Sequence, residues 1–216
     1  MLQKTRGIVL RSVKYGESSI VTTLFTEVSG VQTYMVKGVR STKVRTNRAG
    51  CFQPGTLLDL VVYQQSQKNM QHIREFSPAY IYSSIQESVV KNSIVLFSAE
   101  LLLRLLPEHA PMYMLFDFAN SYFICLDNMP VYGVANMPLY FIVNCSRALG
   151  YELKGDFSAD TPYLNLQEGG FTSQAPSALP YTTDEDAAIL NIFIREDDYD
   201  QLKNIEMNAE IRFRLI

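Results

Sequence analysis

The stretch Leu57-Leu58-Asp59-Leu60-Val61-Val62-Tyr63 alternates with a period of two residues. In an extended chain successive side chains point to opposite faces, so Leu58, Leu60 and Val62 share one face and Asp59, Val61 and Tyr63 the other. That pattern predicts a half-buried β-strand. Four more β-rich runs surround it, at residues 8–10, 20–25, 31–36 and 70–76, and the last alternates poorly enough to predict a bulge. Turn-forming residues separate the runs: Tyr15-Gly16-Glu17-Ser18, Val28-Ser29-Gly30, Gln53-Pro54-Gly55 and residues 65–69. Gly16 and Gly30 are expected at positive φ, which costs a residue without a Cβ nothing. Five short strands ahead of residue 80 predict a small closed barrel. The OB-fold is the five-stranded barrel best known for binding nucleic acid, and an SH3-like barrel gives nearly the same pattern.

Charge divides the chain at the same place. Eleven Lys and Arg stand against four acids through residue 80, a net of +7; the remainder carries −10, which leaves −3 for all 216 residues. A chain polarised in this way suggests two modules with different partners, the first suited to a polyanion. The competing reading is that the basic residues only solubilise a small β-domain.

Residues 37–53 read KGVRSTKVRTNRAGCFQ, and Lys37, Arg40, Lys43, Arg45 and Arg48 place five positive charges there with no acid among them. Gly38 and Gly50 bracket a segment too polar to be buried. A basic loop beside a barrel face is what phosphate binding needs, because each neutralised phosphate releases counterions whatever the base sequence. Arg11 and Lys14 join these five as candidate DNA contacts. Tyr15, Tyr34, Phe52 and Tyr63 are candidates to stack bases at ~1–3 kcal/mol each. Core or cross-strand packing is the competing reading for every one of the four.

The second part of the chain reads as helical. Ser84-Ile85-Gln86-Glu87 has the form of a capping box opening a helix that carries Ile94, Phe97, Leu101 and Leu105 and stops at Pro107. Residues 112–126 predict a second helix, apolar on most sides and so expected at the centre of a bundle. A third begins near Asn136, with Pro138 in its first turn and Gly150 closing it. Thr183 with Asp186 caps a further helix, and short helices are expected to follow. Residues 151–180, rich in Gly, Pro, Ser and Thr, predict an irregular insert with one extended piece at residues 163–166. The expected class is therefore α+β in two domains: an OB-fold barrel over residues 1–80 and a helical protein-interaction domain over residues 81–216.

Several chemistries are excluded. Apolar residues make up 47% of the chain and charged residues 19%, enough for a core and unlike a disordered chain. Asp117, Asn120 and Ser121 interrupt the greasiest stretch, so no membrane span is expected, and the start lacks the apolar run of a signal peptide; the expected compartment is the cytoplasm. Cys51, Cys125 and Cys145 are far apart and have no C-x-x-C spacing, and only two histidines are present, so no disulfide framework, metal site or cofactor is expected. There is no P-loop, no G-x-S-x-G and no H-E-x-x-H. His72 reads as a surface or packing residue, His109 as a solvated turn residue, and Glu196-Asp197-Asp198 as acids at a helix start. No nucleophile and base are paired, so the chain is not expected to be an enzyme.

At this point the order of features resembles the RecO family of bacterial recombination mediators. The stretches that carry the resemblance are Gly7-Ile8-Val9-Leu10-Arg11, Tyr15-Gly16-Glu17-Ser18, Leu24-Phe25-Thr26 before Gly30, Lys37-Gly38-Val39-Arg40, Phe52-Gln53-Pro54-Gly55 and Ile73-Arg74-Glu75. Leu101 to Leu106 with Pro107-Glu108, and Leu149-Gly150-Tyr151, extend it through the helical part. The resemblance implies binding of single- and double-stranded DNA, annealing of complementary strands, and partnership with RecR and with the acidic tail of single-stranded-DNA-binding protein, so that RecA can load. It places the protein at the nucleoid in double-strand-break and gap repair, and it brings no catalytic residues. Many members carry a four-cysteine zinc site after the Leu-Gly turn; the insert here has no cysteine, so no zinc is expected. Members usually continue past the position of Ile216, so a truncated end with an apolar surface favouring self-association is expected. Arg104 and Arg147, cations within apolar helices, are candidates to clamp the acidic tail, with structural ion pairing the competing reading. The rival functions are an RNA-binding OB protein, an interaction scaffold with no nucleic-acid role, and an enzyme using residues 151–180 as a lid.

Overall fold

Five strands precede the first helix in the computed structural model, which describes residues 1–40, 48–65 and 68–216: β1 (Leu2–Tyr15), β2 (Ser19–Thr26), β3 (Gly30–Val36), β4 (Leu57–Tyr63) and β5 (Met70–Pro78). They close in the order β1-β2-β3-β5-β4. All pairings are antiparallel except β3 with β5, where Thr33, Tyr34 and Met35 lie beside Met70, Gln71 and His72 in parallel. This parallel closure gives an OB-like barrel and decides against the SH3-like alternative.

The first strand is much longer than residues 8–10. Its residues 2–8 pair with β4 and residues 7–15 with β2, with a break in register between Val9 and Arg11. One strand thus serves two neighbours, and the bulge supplies the bend that closure needs. The alternation expected for residues 57–63 holds: Leu58, Leu60 and Val62 are buried, Asp59 and Tyr63 exposed. They join Val9, Ile20, Leu24, Tyr34, Val36, Val39 and Phe52 in one core. The bulge expected in the fifth run is present: Val61 pairs with Glu75 and Val62 with Ile73, which leaves Arg74 as the extra residue. Gly16 and Gly30 take φ of +58° and +67°.

Met1–Met129 forms one compact unit and Pro130–Ile216 another. In the first, α1 (Val89–Leu105) and α2 (Tyr113–Asn128) accompany the barrel. Helix α2 is not the centre of a bundle as expected, because its buried Phe116 meets Phe25 of β2 edge-on at 5.4 Å. Arg6 stacks over the same ring and donates to Glu27 and Asp117, which raises Arg6 and lowers Glu27 from their ordinary pKa values. The expected capping box is also corrected. Ser88 caps α1 by accepting from Lys91 N, whereas Ser84 donates to the Asp127 main-chain carbonyl. The helix ends ahead of Pro107, with Leu106 extended as the residue before a proline prefers.

The second unit holds α3 (Met137–Ala148), a three-stranded sheet of β6 (Tyr163–Asn165), β7 (Gly170–Thr172) and β8 (Tyr181–Thr183), then α4 (Asp184–Arg195), α5 (Tyr199–Leu202) and α6 (Ala209–Leu215). The region expected to be an irregular insert is thus built around a small sheet. Its Leu164 is fully buried against Ala187 and Ile194 of α4. No described helix is long and apolar enough to cross a membrane.

Candidate nucleic-acid interface

The register brings the predicted residues of the first unit together at one end of the barrel. Lys14 pairs with Ile20, which pairs with Val36, so Lys14, Tyr15, the turn at residues 16–18 and Lys37 lie at the same ends of β1, β2 and β3. The start of the basic loop is tied to that turn. The Arg40 main-chain N–H donates to Ser18 O at 2.9 Å, and its guanidinium donates to Gly16 O at 3.3 Å. Gly38 at φ +69° lets the chain turn back toward it. The exposed acid Glu17 shares this end.

The electrostatics leave these cations open. Ion pairs of the first unit join Arg6 to Glu27 and Asp117, Arg74 to Glu75, and Arg104 to Glu100. Among the described residues, none takes in Arg11, Lys14, Lys37, Arg40 or Arg48. Arg11 is exposed on the outer face two residues before Val13, and Arg48 rests over the Phe76 ring at 4.4 Å. Lys43 and Arg45 lie outside the described residues.

The four candidate aromatics separate into two kinds. Tyr15 and Tyr63 are 55% and 42% exposed. Tyr34 and Phe52 have no face to offer a base, which corrects the expectation for both. Tyr34 lies fully inside the barrel, where its hydroxyl donates to Gln32 Oε1 and burial pushes the phenol up to about 12. Phe52 is buried edge-on against Phe76 at 4.7 Å, so it seals the core where the loop re-enters the barrel.

Sequence reading took His72 as a surface or packing residue and did not nominate Met35 or Arg74 as contacts. Tyr63 of β4 and Met35 of β3 are the register partners of His72 on β5, and with Lys37, Ile73 and Arg74 they line a groove of about 510 Å³. Their signal was the i, i+2 spacing of Met35 with Lys37 and of His72 with Arg74, which the bulge at Arg74 obscured.

The two candidate clamp residues lie in different units. Arg104 on α1 is exposed and bonded to Glu100 on the same helix at 2.7 Å. Arg147 on α3 pairs with Asp197 and donates to Ile194 O, at the rim of a 460 Å³ apolar pocket that includes Leu139, Ile142, Val143, Leu190 and Leu215. Asp198 caps α5, in keeping with acids placed at a helix start. No cluster of metal-ligating side chains occurs among the described residues.

Residues 1–82 match the family described as "Recombination protein O N terminal" and residues 86–215 the one described as "Recombination protein O C terminal". A protein of Christiangramia forsetii named DNA repair protein RecO is 30% identical over 213 residues, covering 98% of this chain and 87% of its own length. One of the same name from Bacteroides fragilis is 30% identical over 217 residues, covering all of this chain and 88% of its own length. With an OB-like barrel and family matches on both sides of residue 85, the chain belongs to the recombination protein O family of DNA repair proteins.

Proposed function

We propose that this chain is a non-enzymatic, DNA-binding recombination mediator whose barrel, within a nucleic-acid module of residues 1–80, tracks the phosphate backbone of single- and double-stranded DNA. The observation that carries this reading is the gathering at one barrel end, beside exposed Tyr15, of Lys14, Lys37 and Arg40, which have no carboxylate partner among the described residues. Unpaired cations can exchange their counterions for phosphates, and the affinity then falls with salt. Arg11 and Arg48 extend the same track, and Lys43 and Arg45 remain candidate contacts from the charge of their segment. Labelled single-stranded DNA titrated into the protein at about 50 and about 300 mM salt should show a steep loss of affinity, with Lys37→Ala and Arg40→Ala each lowering the slope by ~0.7. Equal affinity at both salts overturns the reading. A matched RNA oligonucleotide that outcompetes DNA favours the RNA-binding alternative.

In the family's pathway the protein would act with RecR and single-stranded-DNA-binding protein to load RecA, at the nucleoid in the cytoplasm. The residue 81–216 module would bind protein. The apolar pocket of the second unit suits the apolar end of an acidic peptide tail, whose carboxylates would replace Asp197 on Arg147. Arg104, already matched to Glu100, is the weaker candidate. Arg147→Ala should reduce capture of such a peptide, and capture unchanged by both Arg104→Ala and Arg147→Ala removes the clamp. Phe213 on α6, 87% exposed, is where self-association would begin.

A further inference from the structure

The outer face of the barrel carries a row of five residues in lateral register, one from each strand: Val13, Val21, Met35, His72 and Tyr63. None of the five is buried. Cationic positions flank the row on both sides. Arg11 lies two residues before Val13 on β1, while Lys37 and Arg74 lie two residues beyond Met35 and His72 on the other side. Because β3 and β5 run parallel, Lys37 and Arg74 fall on the same side of the row. The bulge in β5 adds Arg74 as an extra residue, a device that re-aims a side chain without ending the strand. Among the described residues Arg74 pairs with exposed Glu75 at 3.2 Å, a pair that contributes little and can be exchanged for a phosphate.

From this arrangement we infer that the Met35–His72–Tyr63 groove is a nucleobase site for single-stranded nucleic acid, with Lys37 and Arg74 holding the phosphates on one side. The inference rests on the nucleic-acid reading of the barrel and goes beyond it by separating base contacts from backbone contacts. The occupant follows from the chemistry of the groove: a phenol ring and an imidazole offer flat faces, a thioether adapts to any base, and the adjoining cations demand an anionic backbone. A duplex keeps its base faces stacked inside and cannot use such a row. The groove therefore gives the protein a preference for single strands that the cations alone do not give.

Anisotropy titrations of the full chain with a labelled oligothymidine and with a matched duplex test this at several salt concentrations. Tyr63→Leu and His72→Ala should each weaken single-strand binding about five- to tenfold, leave the salt slope unchanged, and leave duplex binding within about twofold. Tyr63→Phe keeps the ring face and should bind as the wild type does. Lys37→Ala should weaken both ligands and lower the slope. Row variants that bind single strands normally, or that weaken duplex equally, overturn the base site while a Lys37→Ala effect leaves the backbone reading standing. Wild-type protein that binds neither ligand at low salt overturns the backbone reading itself. Tyr63→Leu retains apolar bulk at the exposed end of β4, so unchanged thermal unfolding is expected and separates lost binding from lost fold.

Discussion

Replacing Asp127 perturbs the polar cluster that ties the chain leaving the barrel to the end of α2. This carboxylate is 2% exposed and accepts from the backbone N–H groups of Ser83, Ser84 and Ile85 at 2.9, 2.8 and 2.9 Å. The hydroxyls of Ser83 and Ser84 donate to it as well, while buried Lys91 donates to Ser84 Oγ and to the Asp127 carbonyl. Burial pushes a carboxyl up, but the N–H donors outweigh it and hold Asp127 well below the usual carboxylate range. Asp127→Ala removes the acceptor of one buried N–H group, that of Ile85, worth ~1–3 kcal/mol, and of two part-buried ones that water can reach, so a loss of about 2–4 kcal/mol is expected. Asp127→Asn keeps one acceptor oxygen and loses the charge, for about 2 kcal/mol.

The pH dependence has a definite sign. A folded-state pKa below the unfolded value means the stabilisation is complete above about pH 4 and is lost as pH falls through the folded value. The gap between wild type and Asp127→Asn should therefore narrow on acidification. Urea unfolding followed by circular dichroism measures it, since the chain has no tryptophan, and hydrogen exchange at the Ser84 and Ile85 amides gives a local readout. A gap that stays constant from neutral pH to about pH 3, or an Ala variant within about 1 kcal/mol of wild type, would refute the reasoning.

Three further outcomes are expected. Gly30→Ala should destabilise far more than Gly16→Ala: both sit at positive φ, but a Cβ on Gly30 lands 2.2 Å from the Ala110 carbonyl oxygen, whereas one on Gly16 meets nothing within 4 Å, and thermal unfolding of the pair shows the difference. Strain alone should limit Gly16→Ala to about 1–2 kcal/mol. Tyr34→Phe should cost ~1–3 kcal/mol by stranding Gln32 Oε1, yet leave DNA affinity within error; lost affinity at constant stability would return Tyr34 to the interface. Cys145, whose thiol burial pushes up to about 12, should resist alkylation in the native protein at mildly basic pH and react once urea unfolds the chain, as mass spectrometry of the labelled peptide will report.

Local pattern alone determined much of this protein. The alternation of Leu58, Leu60 and Val62, the turns at Gly16 and Gly30, the bulge in the fifth run and the helix stop before Pro107 each depend on a few neighbouring residues, whose chemistry is written in the chain. The excess of positive charge before residue 80 is likewise a property of composition. The tertiary structure decided what depends on distant partners. Whether five strands close as an OB-like or an SH3-like barrel turns on β3 meeting β5 in parallel, a pairing across more than thirty residues that leaves no local mark. Tyr34 and Tyr63 look alike in sequence, and only closure puts one ring in the core and the other on the surface. Ser84 has the form of a helix cap until Asp127, 43 residues on, engages it. The row from Val13 to Tyr63 exists only because the barrel aligns one residue from each of five strands, and no window of sequence contains all of them.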